Sequence, residues 1–120
     1  MKAKTSVKIT REGSAAVVAF KSASVTDIEE IRGAGEEIGK FIAEGQPKKV
    51  VFDFMNVRFF SSQVLGLLLD MRSRTQPFEG EVVISAINPQ LHRIFRITNL
   101  DRIFRFFPDK KSAVNDDDNI

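Results

Sequence analysis

The chain has 120 residues, of which 42% are hydrophobic and 28% are charged, and its formal net charge is +2. It has no cysteine and one histidine, His92, so disulfides and thiolate metal sites are excluded, and we expect no metal ion and no cofactor. No apolar run approaches the roughly 20 residues of a spanning helix, and residues 1–8 lack the apolar core of a secretory signal. These features predict a cytoplasmic protein that does not insert into a membrane.

Hydrophobic periodicity predicts strands and helices in the order β, β, α, β, α, β, α, β. A polar gap containing Gly13 separates the first two apolar runs and predicts a hairpin, whereas the alternation of strands with helices further on predicts parallel pairing. The chain is therefore expected to form an α/β or α+β domain. In chain order, the predicted strands cover residues 7–10, 15–20, 50–54, 81–87 and 103–107, and the predicted helices begin near residues 28, 64 and 89.

Local signals mark the ends of these helices. Thr26 followed by Glu29 has the spacing of a capping box before the first helix. Asn88 followed by Pro89 is typical of an N-cap and a first helical residue, and Asn99 can adopt the left-handed conformation that ends a helix. Each predicted helix is thus bounded by residues whose chemistry suits a helix end.

The predicted middle helix and the C-terminus complete this organisation. We expect Leu65, Leu68 and Leu69 to form the inward stripe of the helix that runs to about residue 74. One domain is expected over residues 1–112, because a chain of this length suits a single core. The polar segment at 113–120, which contains three consecutive aspartates, is expected to be a disordered acidic tail.

Two serines, Ser61 and Ser62, stand where a strand pattern gives way to a leucine-rich helix. Serine is a preferred N-cap, and the free amides and dipole of a helix start attract phosphate or carboxylate groups. Two interpretations are open: capping alone, or capping with partner contact or modification. One of Phe59 and Phe60 is expected in the core and the other as an exposed anchor. We assign weaker partner-binding roles to Phe60 and to Asp53, whose main expected role is structural.

The remaining polar residues give weaker signals. His92 is expected at the surface, since no nucleophile is near it in sequence. Arg93, Arg96, Arg102 and Arg105 are expected to form either a solvated face or a docking surface for an acidic partner or a phosphate. Lysine and arginine are otherwise spread along the chain and do not interleave with aromatics, which predicts no nucleic-acid binding.

Five segments from residue 50 onward have a pattern in common with a known family: VVFDF at 50–54, VRFFSS at 57–62, LG at 65–66, INPQL at 87–91 and IFRITNL at 94–100. In these segments the chain resembles the STAS domain of bacterial anti-sigma-factor antagonists. This resemblance implies a mixed, mostly parallel sheet of four to five strands with helices packed mainly on one face. It also implies binding to an anti-sigma factor, usually an ATP-dependent serine kinase, and release of a sigma factor.

The chain departs from the family at the residue that is phosphorylated. The family motif is Asp-Ser-Ser-Gly-Leu, and the kinase acts on the serine before glycine. Both flanking segments place Ser61 at the Asp, Ser62 at the first Ser and Gln63 at the acceptor. Gln63 cannot be phosphorylated, so the resemblance predicts a domain without the usual switch. Two alternatives are open: a permanently unphosphorylated-like antagonist, or a member of a branch that is regulated otherwise, with Ser62 as the fallback acceptor.

Two other functions are alternatives to antagonism of an anti-sigma factor. An accessory subunit of a membrane transport system is the alternative that the same resemblance implies, since isolated STAS domains also occur with transporters. A serine hydrolase is disfavoured because the chain lacks Gly-x-Ser-x-Gly and its histidine has no evident orienting carboxylate. We therefore predict a protein-interaction module rather than an enzyme.

Overall fold

The computed structural model describes residues 7–116, which form strands and helices in the predicted alternation. Two short 3₁₀ turns, Gln76–Phe78 and Leu100–Arg102, follow the second and third helices. The strands are β1 Val7–Glu12, β2 Ala15–Phe20, β3 Ser24–Val25, β4 Lys49–Asp53, β5 Phe59–Phe60, β6 Glu81–Ser85 and β7 Arg105–Phe107. The helices are α1 Ile28–Gly45, α2 Ser62–Thr75, α3 Pro89–Ile97 and α4 Lys110–Asn115.

Five strands form the main sheet in the order β1-β2-β4-β6-β7. The β1–β2 hairpin is antiparallel, and the β2–β4, β4–β6 and β6–β7 pairs are parallel. This arrangement confirms the predicted mixed, mostly parallel sheet. Strands β3 and β5 form a separate two-stranded parallel sheet that the sequence did not predict, because two-residue strands are too short to show a period.

The two faces of the main sheet are covered unequally. The larger core joins α1, α2 and α3 to one face, with Phe52, Phe54 and Phe95 among its largest fully buried side chains. On the opposite face, α4 covers a smaller cluster that includes Val51 and Ala113. The helices therefore lie mainly on one face, as predicted. None of the helices within residues 7–116 is long and apolar enough to cross a bilayer.

The start of α1 differs from the prediction. The helix is capped by Asp27, whose Oδ1 accepts a hydrogen bond from the Glu30 N–H at 3.0 Å, so the capping box expected from Thr26 and Glu29 is wrong. Thr26 and Asp27 are adjacent residues of types that both favour the cap position, and Asp27 holds it. At the starts of α3 and of the turn after it, Asn88 and Asn99 take the predicted roles, because the Asn88 Oδ1 caps Leu91 and Asn99 has φ 62°.

The buried stripe of α2 is shifted relative to the predicted leucines. Val64, Leu67, Leu68 and Met71 are buried at i, i+3, i+4 and i+7. Of the predicted stripe, Leu68 is buried, Leu65 is half-buried and Leu69 is 37% exposed. A run of four apolar residues in five positions allows several helical phases, and the packing of Val64 and Met71 selects one of them.

The C-terminal helix is fixed to the sheet by a buried lysine. The Lys49 Nζ donates to the backbone oxygens of Ala113 at 2.9 Å and Asp116 at 2.8 Å, so it binds carbonyls at the end of α4. The domain boundary expected at residue 112 thus falls inside a helix, and the disorder expected from residue 113 is wrong for residues 113–115. The aspartates at 117 and 118 lie outside the described residues.

The opposite end of α4 is capped by Asp109. Its Oδ1 accepts from the Ser112 N–H at 2.7 Å, and this backbone hydrogen bond, with a second bond to the Ser112 side chain, holds the pKa of Asp109 below its ordinary value. A carboxylate with a lowered pKa stabilises the folded state at neutral pH. This contribution is lost only as the pH falls below the ordinary range of an aspartate.

Ala86, between β6 and α3, has a left-handed backbone with φ 56°. This conformation costs a residue with a Cβ about 1–2 kcal/mol, whereas glycine adopts it without that cost. We expect Ala86→Gly to raise the free energy of unfolding, because it removes this strain. The gain is limited to about 1 kcal/mol, since glycine also increases the entropy of the unfolded chain. Chemical denaturation measures this change. The control is Ala43→Gly in the exposed part of α1, which should lower stability by about 1 kcal/mol; a loss at both positions would contradict the account of strain.

Candidate functional site

The serine corner, defined here as Ser61, Ser62 and Gln63, is positioned by the small β3–β5 sheet. The Ser61 N–H donates to the Val25 carbonyl at 3.0 Å. Two further amides, those of Arg58 and Phe59, donate to the Ala23 carbonyl at 2.7 and 3.1 Å. These bonds fix the segment before α2 against the loop after β2. The corner consequently lies at the carboxyl end of β4, where the parallel strands of the main sheet end.

Ser61 does not cap α2 with its hydroxyl, contrary to the expectation. It holds the N-cap position in an extended conformation, with φ −86° and ψ 167°, but its Oγ is buried and has no hydrogen-bond partner in the described structure. The Val64 amide instead bonds to the Ser61 backbone carbonyl at 3.0 Å. Because the Oγ is inaccessible, Ser61 is less suitable for modification than Ser62.

Ser62 and Gln63 are both exposed at the first two positions of α2. The first turn of this helix contains no acidic residue, so no carboxylate of its own offsets the positive end of the helix dipole. Gln63 also borders a groove of about 400 Å³ between α1 and α2, which Ile28 and Leu67 help to line. The accessible polar groups of the corner are therefore next to an apolar groove.

The two phenylalanines before the serines have opposite environments. Phe60 is half-buried and packs against the rings of Phe54 and Phe95, with centroid distances of 5.7 and 6.2 Å. Phe59 is 54% exposed. One of the pair is thus in the core and the other exposed, as predicted, and the exposed residue is Phe59, whereas Phe60 had been expected to have the weak partner-binding role. Side chains alternate across a strand, and pattern alone could not tell which of the two pointed inward.

Two more large apolar side chains are exposed near the corner. Met55, in the loop between β4 and β5, is 71% exposed, and Ile28, the first residue of α1, is 52% exposed. The sequence analysis missed both, because Ile28 fits the apolar period of α1 and Met55 directly follows a buried strand. Together with Phe59 they form what we call the apolar rim of the corner. Several large exposed apolar side chains around exposed polar groups are typical of a protein-binding surface.

Asp53 is placed apart from the corner. It alternates with the core residues Phe52 and Phe54, so its side chain lies on the opposite face of the sheet. Its Oδ1 accepts from the Ser85 hydroxyl at 3.2 Å and from the Met55 amide at 3.3 Å. These bonds join the ends of β4 and β6 to the following loop, which favours the structural role expected for Asp53 over partner binding.

His92 and the arginines also separate in the structure. His92 is half-buried against the ring of Phe106, at 4.4 Å between centroids, so the expected surface position is only partly correct. Arg105 makes a two-bond ion pair with Glu81 at 2.7 Å on the sheet and does not share a surface with the helical arginines. Arg93, Arg96 and Arg102 are exposed on α3 and the turn after it.

The fold and the corner define a small α/β domain with a central, mostly parallel sheet and an exposed helix start. The family profile of the STAS domain matches residues 8–113, and the chain belongs to that family. A STAS-domain containing protein of Pseudomonas aeruginosa (strain UCBPP-PA14) is 25% identical over 59 residues, which make up 49% of this chain and 58% of that protein. The match thus spans little more than half of that relative's length.

Solved structures share the fold. An anti-sigma-factor antagonist (STAS) domain protein from Planctomyces limnophilus superimposes with a TM-score of 0.81 at 21% identity, over 90% of this chain and 94% of that one. The anti-sigma factor antagonist SpoIIAA in its unphosphorylated form gives 0.81 at 14% identity, over 91% and 93%. The murine anion transporter Slc26a9 gives 0.63 at 15% identity, over 88% of this chain and 18% of the transporter.

Proposed function

We propose that this chain is a non-enzymatic, cytoplasmic protein-interaction module that antagonises an anti-sigma factor. Its partner is an anti-sigma factor that is also a serine protein kinase, and binding releases a sigma factor for transcription. The likeness to antagonists such as the Planctomyces limnophilus protein and SpoIIAA supports this class of function. The serine corner and the apolar rim around it form the contact surface in this proposal.

One observation carries the proposal: an accessible, carboxylate-free helix start lies beside exposed apolar anchors. The amides at the start of α2 and the positive end of its dipole favour an acidic group of the partner. Phe59, Met55 and Ile28 supply large apolar side chains, and a few such anchors carry most of the binding energy in typical interfaces. The combination suits the binding of a protein surface better than that of a small substrate, because the side chains of the rim project into solvent.

The residue at the acceptor position changes the regulation in this proposal. Gln63 is exposed where the family has its phosphorylated serine, and an amide cannot accept a phosphoryl group. The domain therefore behaves as a permanently unphosphorylated antagonist. Ser62 is exposed one position earlier and is the fallback acceptor, since the buried Oγ of Ser61 is not accessible to a kinase.

The likeness to the STAS region of the Slc26a9 transporter favours a second candidate function. In that function the domain is an accessory subunit that binds a membrane transport complex. The same surface is available for both functions, so the identity of the bound protein distinguishes them.

Affinity capture of the tagged protein from its native lysate, with mass spectrometry of the bound proteins, tests the proposal. We expect an anti-sigma factor with a kinase fold to be retained by the wild-type chain and lost from Ser62→Asp, because an added carboxylate repels an acidic group docked at the helix start. Phosphopeptide mapping of the recovered protein should show no phosphate on residues 61–63.

Each other outcome contradicts a separate part of the proposal. Recovery of a transporter complex would replace antagonism with the second candidate function. Equal retention of the anti-sigma factor by the wild type and by Ser62→Asp would show that the partner does not bind at the serine corner. Stoichiometric phosphate on Ser62 would contradict the permanently unphosphorylated state while leaving antagonism in place.

A further inference from the structure

A second exposed surface lies on α3 and the 3₁₀ turn after it. We call it the arginine ridge, and it consists of Arg93, Arg96, Ile97, Arg102 and Ile103. Ile97 is 72% exposed and Ile103 is 40% exposed, and the three arginines are also exposed. The two isoleucines add exposed apolar area to the positive charge, and a partner that covers them removes this area from water.

The backbone brings the ridge together. Arg93, Arg96 and Ile97 are spaced i, i+3 and i+4, so they lie on one side of α3, opposite the buried Leu91 and Phe95. The chain then reverses at Asn99, which has φ 62°, and the turn Leu100–Arg102 packs against α3. The reversal places Arg102 and Ile103 beside the C-terminal end of the helix.

The positive charge of the ridge is not neutralised within the described chain. Arg32, Arg74 and Arg105 form ion pairs with carboxylates of neighbouring residues. Across residues 7–116, by contrast, no carboxylate lies within ion-pair distance of the ridge arginines. Asp101, in the turn itself, is the acidic residue nearest to them in sequence. The ridge is thus a site of local positive charge that a partner can complement.

The ridge is separate from the serine corner. The start of α3 lies near the corner, because the Asn88 Nδ2 donates to the Val57 carbonyl at 3.3 Å in the loop before β5. The nine residues of α3 then span about 13 Å at 1.5 Å per residue, and the ridge residues of this helix lie in its C-terminal half. The ridge and the serine corner are thus defined by different residues on different parts of the fold.

We infer that the arginine ridge binds a second protein through an acidic segment of that partner that also carries apolar side chains, such as those on one side of a helix. Carboxylates of such a segment pair with the three guanidinium groups, and its apolar side chains cover Ile97 and Ile103. The residue types of the ridge favour a protein as the binding partner over a membrane surface. All three cations are arginine, which is enriched in protein interfaces where lysine is depleted, and three cations fall short of the roughly four to eight of typical lipid-binding clusters.

A titration followed by NMR tests this inference without a known partner. The probe is a synthetic helical peptide with glutamates on one side and leucines on the other, and the control peptide has lysines in place of the glutamates. We expect the acidic peptide to shift the amide signals of residues 93–103 and to bind at least about tenfold more weakly at high salt. The lysine peptide should leave these signals unchanged.

Charge reversal identifies the residues responsible. The triple variant R93E/R96E/R102E should lose peptide binding by about tenfold or more, whereas K40E/K48E/K111E, with the same change in net charge at other exposed positions, should bind within about twofold of wild type. Unchanged circular dichroism confirms that both variants are folded. Failure of the acidic peptide to shift residues 93–103, or equal losses in the two variants, would overturn the inference.

Binding of the ridge to anionic phosphatidylglycerol vesicles in preference to the peptide would also overturn it, in favour of a membrane surface. The outcome is independent of the function proposed above. The capture experiment reports on the serine corner through Ser62→Asp, whereas this titration reports on signals at the other end of α3.

Discussion

Phe60→Ala is expected to lower the free energy of unfolding by roughly 2–4 kcal/mol, whereas Phe59→Ala changes it by no more than about 0.5 kcal/mol. The reason is their packing. The Phe60 ring contacts Phe54 and Phe95 in the core, and its removal leaves a cavity, whereas Phe59 is 54% exposed. Chemical denaturation of the two variants and the wild type measures both changes.

The effect of Phe59→Ala on partner binding is expected to differ from its small effect on stability. If Phe59 is an anchor, Phe59→Ala should lower the affinity for the captured partner by about tenfold or more. Truncation of an interface anchor costs about 2 kcal/mol or more of binding free energy. Leu69→Ala is the matched control, because Leu69 is an exposed apolar residue of α2 further from the helix start. Loss of binding in both variants, or in neither, would contradict the assignment of Phe59.

In the Gln63→Ser variant, we expect the partner kinase to phosphorylate residue 63, to nearly one phosphate per chain. The wild-type chain carries no phosphate at this position. Position 63 is exposed in the first turn of α2, and the positive helix end stabilises an added phosphate, so the domain stays folded. Phosphopeptide mapping after incubation with the captured kinase and ATP measures the change. Gln63→Ala is the control, and it should remain unmodified.

Phosphorylation of the Gln63→Ser chain should in turn weaken its complex with the kinase by about tenfold or more. The phosphate adds about −1.5 to −2 charges where the partner is proposed to dock an acidic group. A phosphorylated variant that binds as tightly as the wild type would contradict the proposed contact. A variant that is never phosphorylated would instead show that position 63 does not take the place of the family acceptor.

The order and type of the main elements could be predicted because their signals are local. Apolar runs identified the strands of the main sheet, and the Asn88-Pro89 pair located the start of α3. The β3–β5 sheet could not be predicted, since its two-residue strands are held by bonds between residues more than 30 positions apart. The phase of α2 and the attachment of α4 by Lys49 likewise depend on tertiary packing.

The candidate site was predictable in position but not in detail. Serine chemistry and the resemblance located Ser61, Ser62 and Gln63 at a helix start, where the structure places them. The burial of the Ser61 Oγ and the exposure of Met55 and Ile28 depend on how the loops pack, which a residue's own type does not encode. An apolar residue at a helix start is ordinarily assigned to the core, so an exposed one gives no signal in the sequence.

Hydrogen–deuterium exchange of the domain, alone and with its captured partner, tests most directly the claim that the serine corner is the binding surface. The amides of Ser62 and Gln63, the first two residues of α2, lack intrahelical acceptors and are expected to exchange rapidly in the free protein. We predict protection of residues 55–65 in the complex, with little change in residues 93–103. Unchanged exchange at residues 55–65 in a saturated complex would contradict the account.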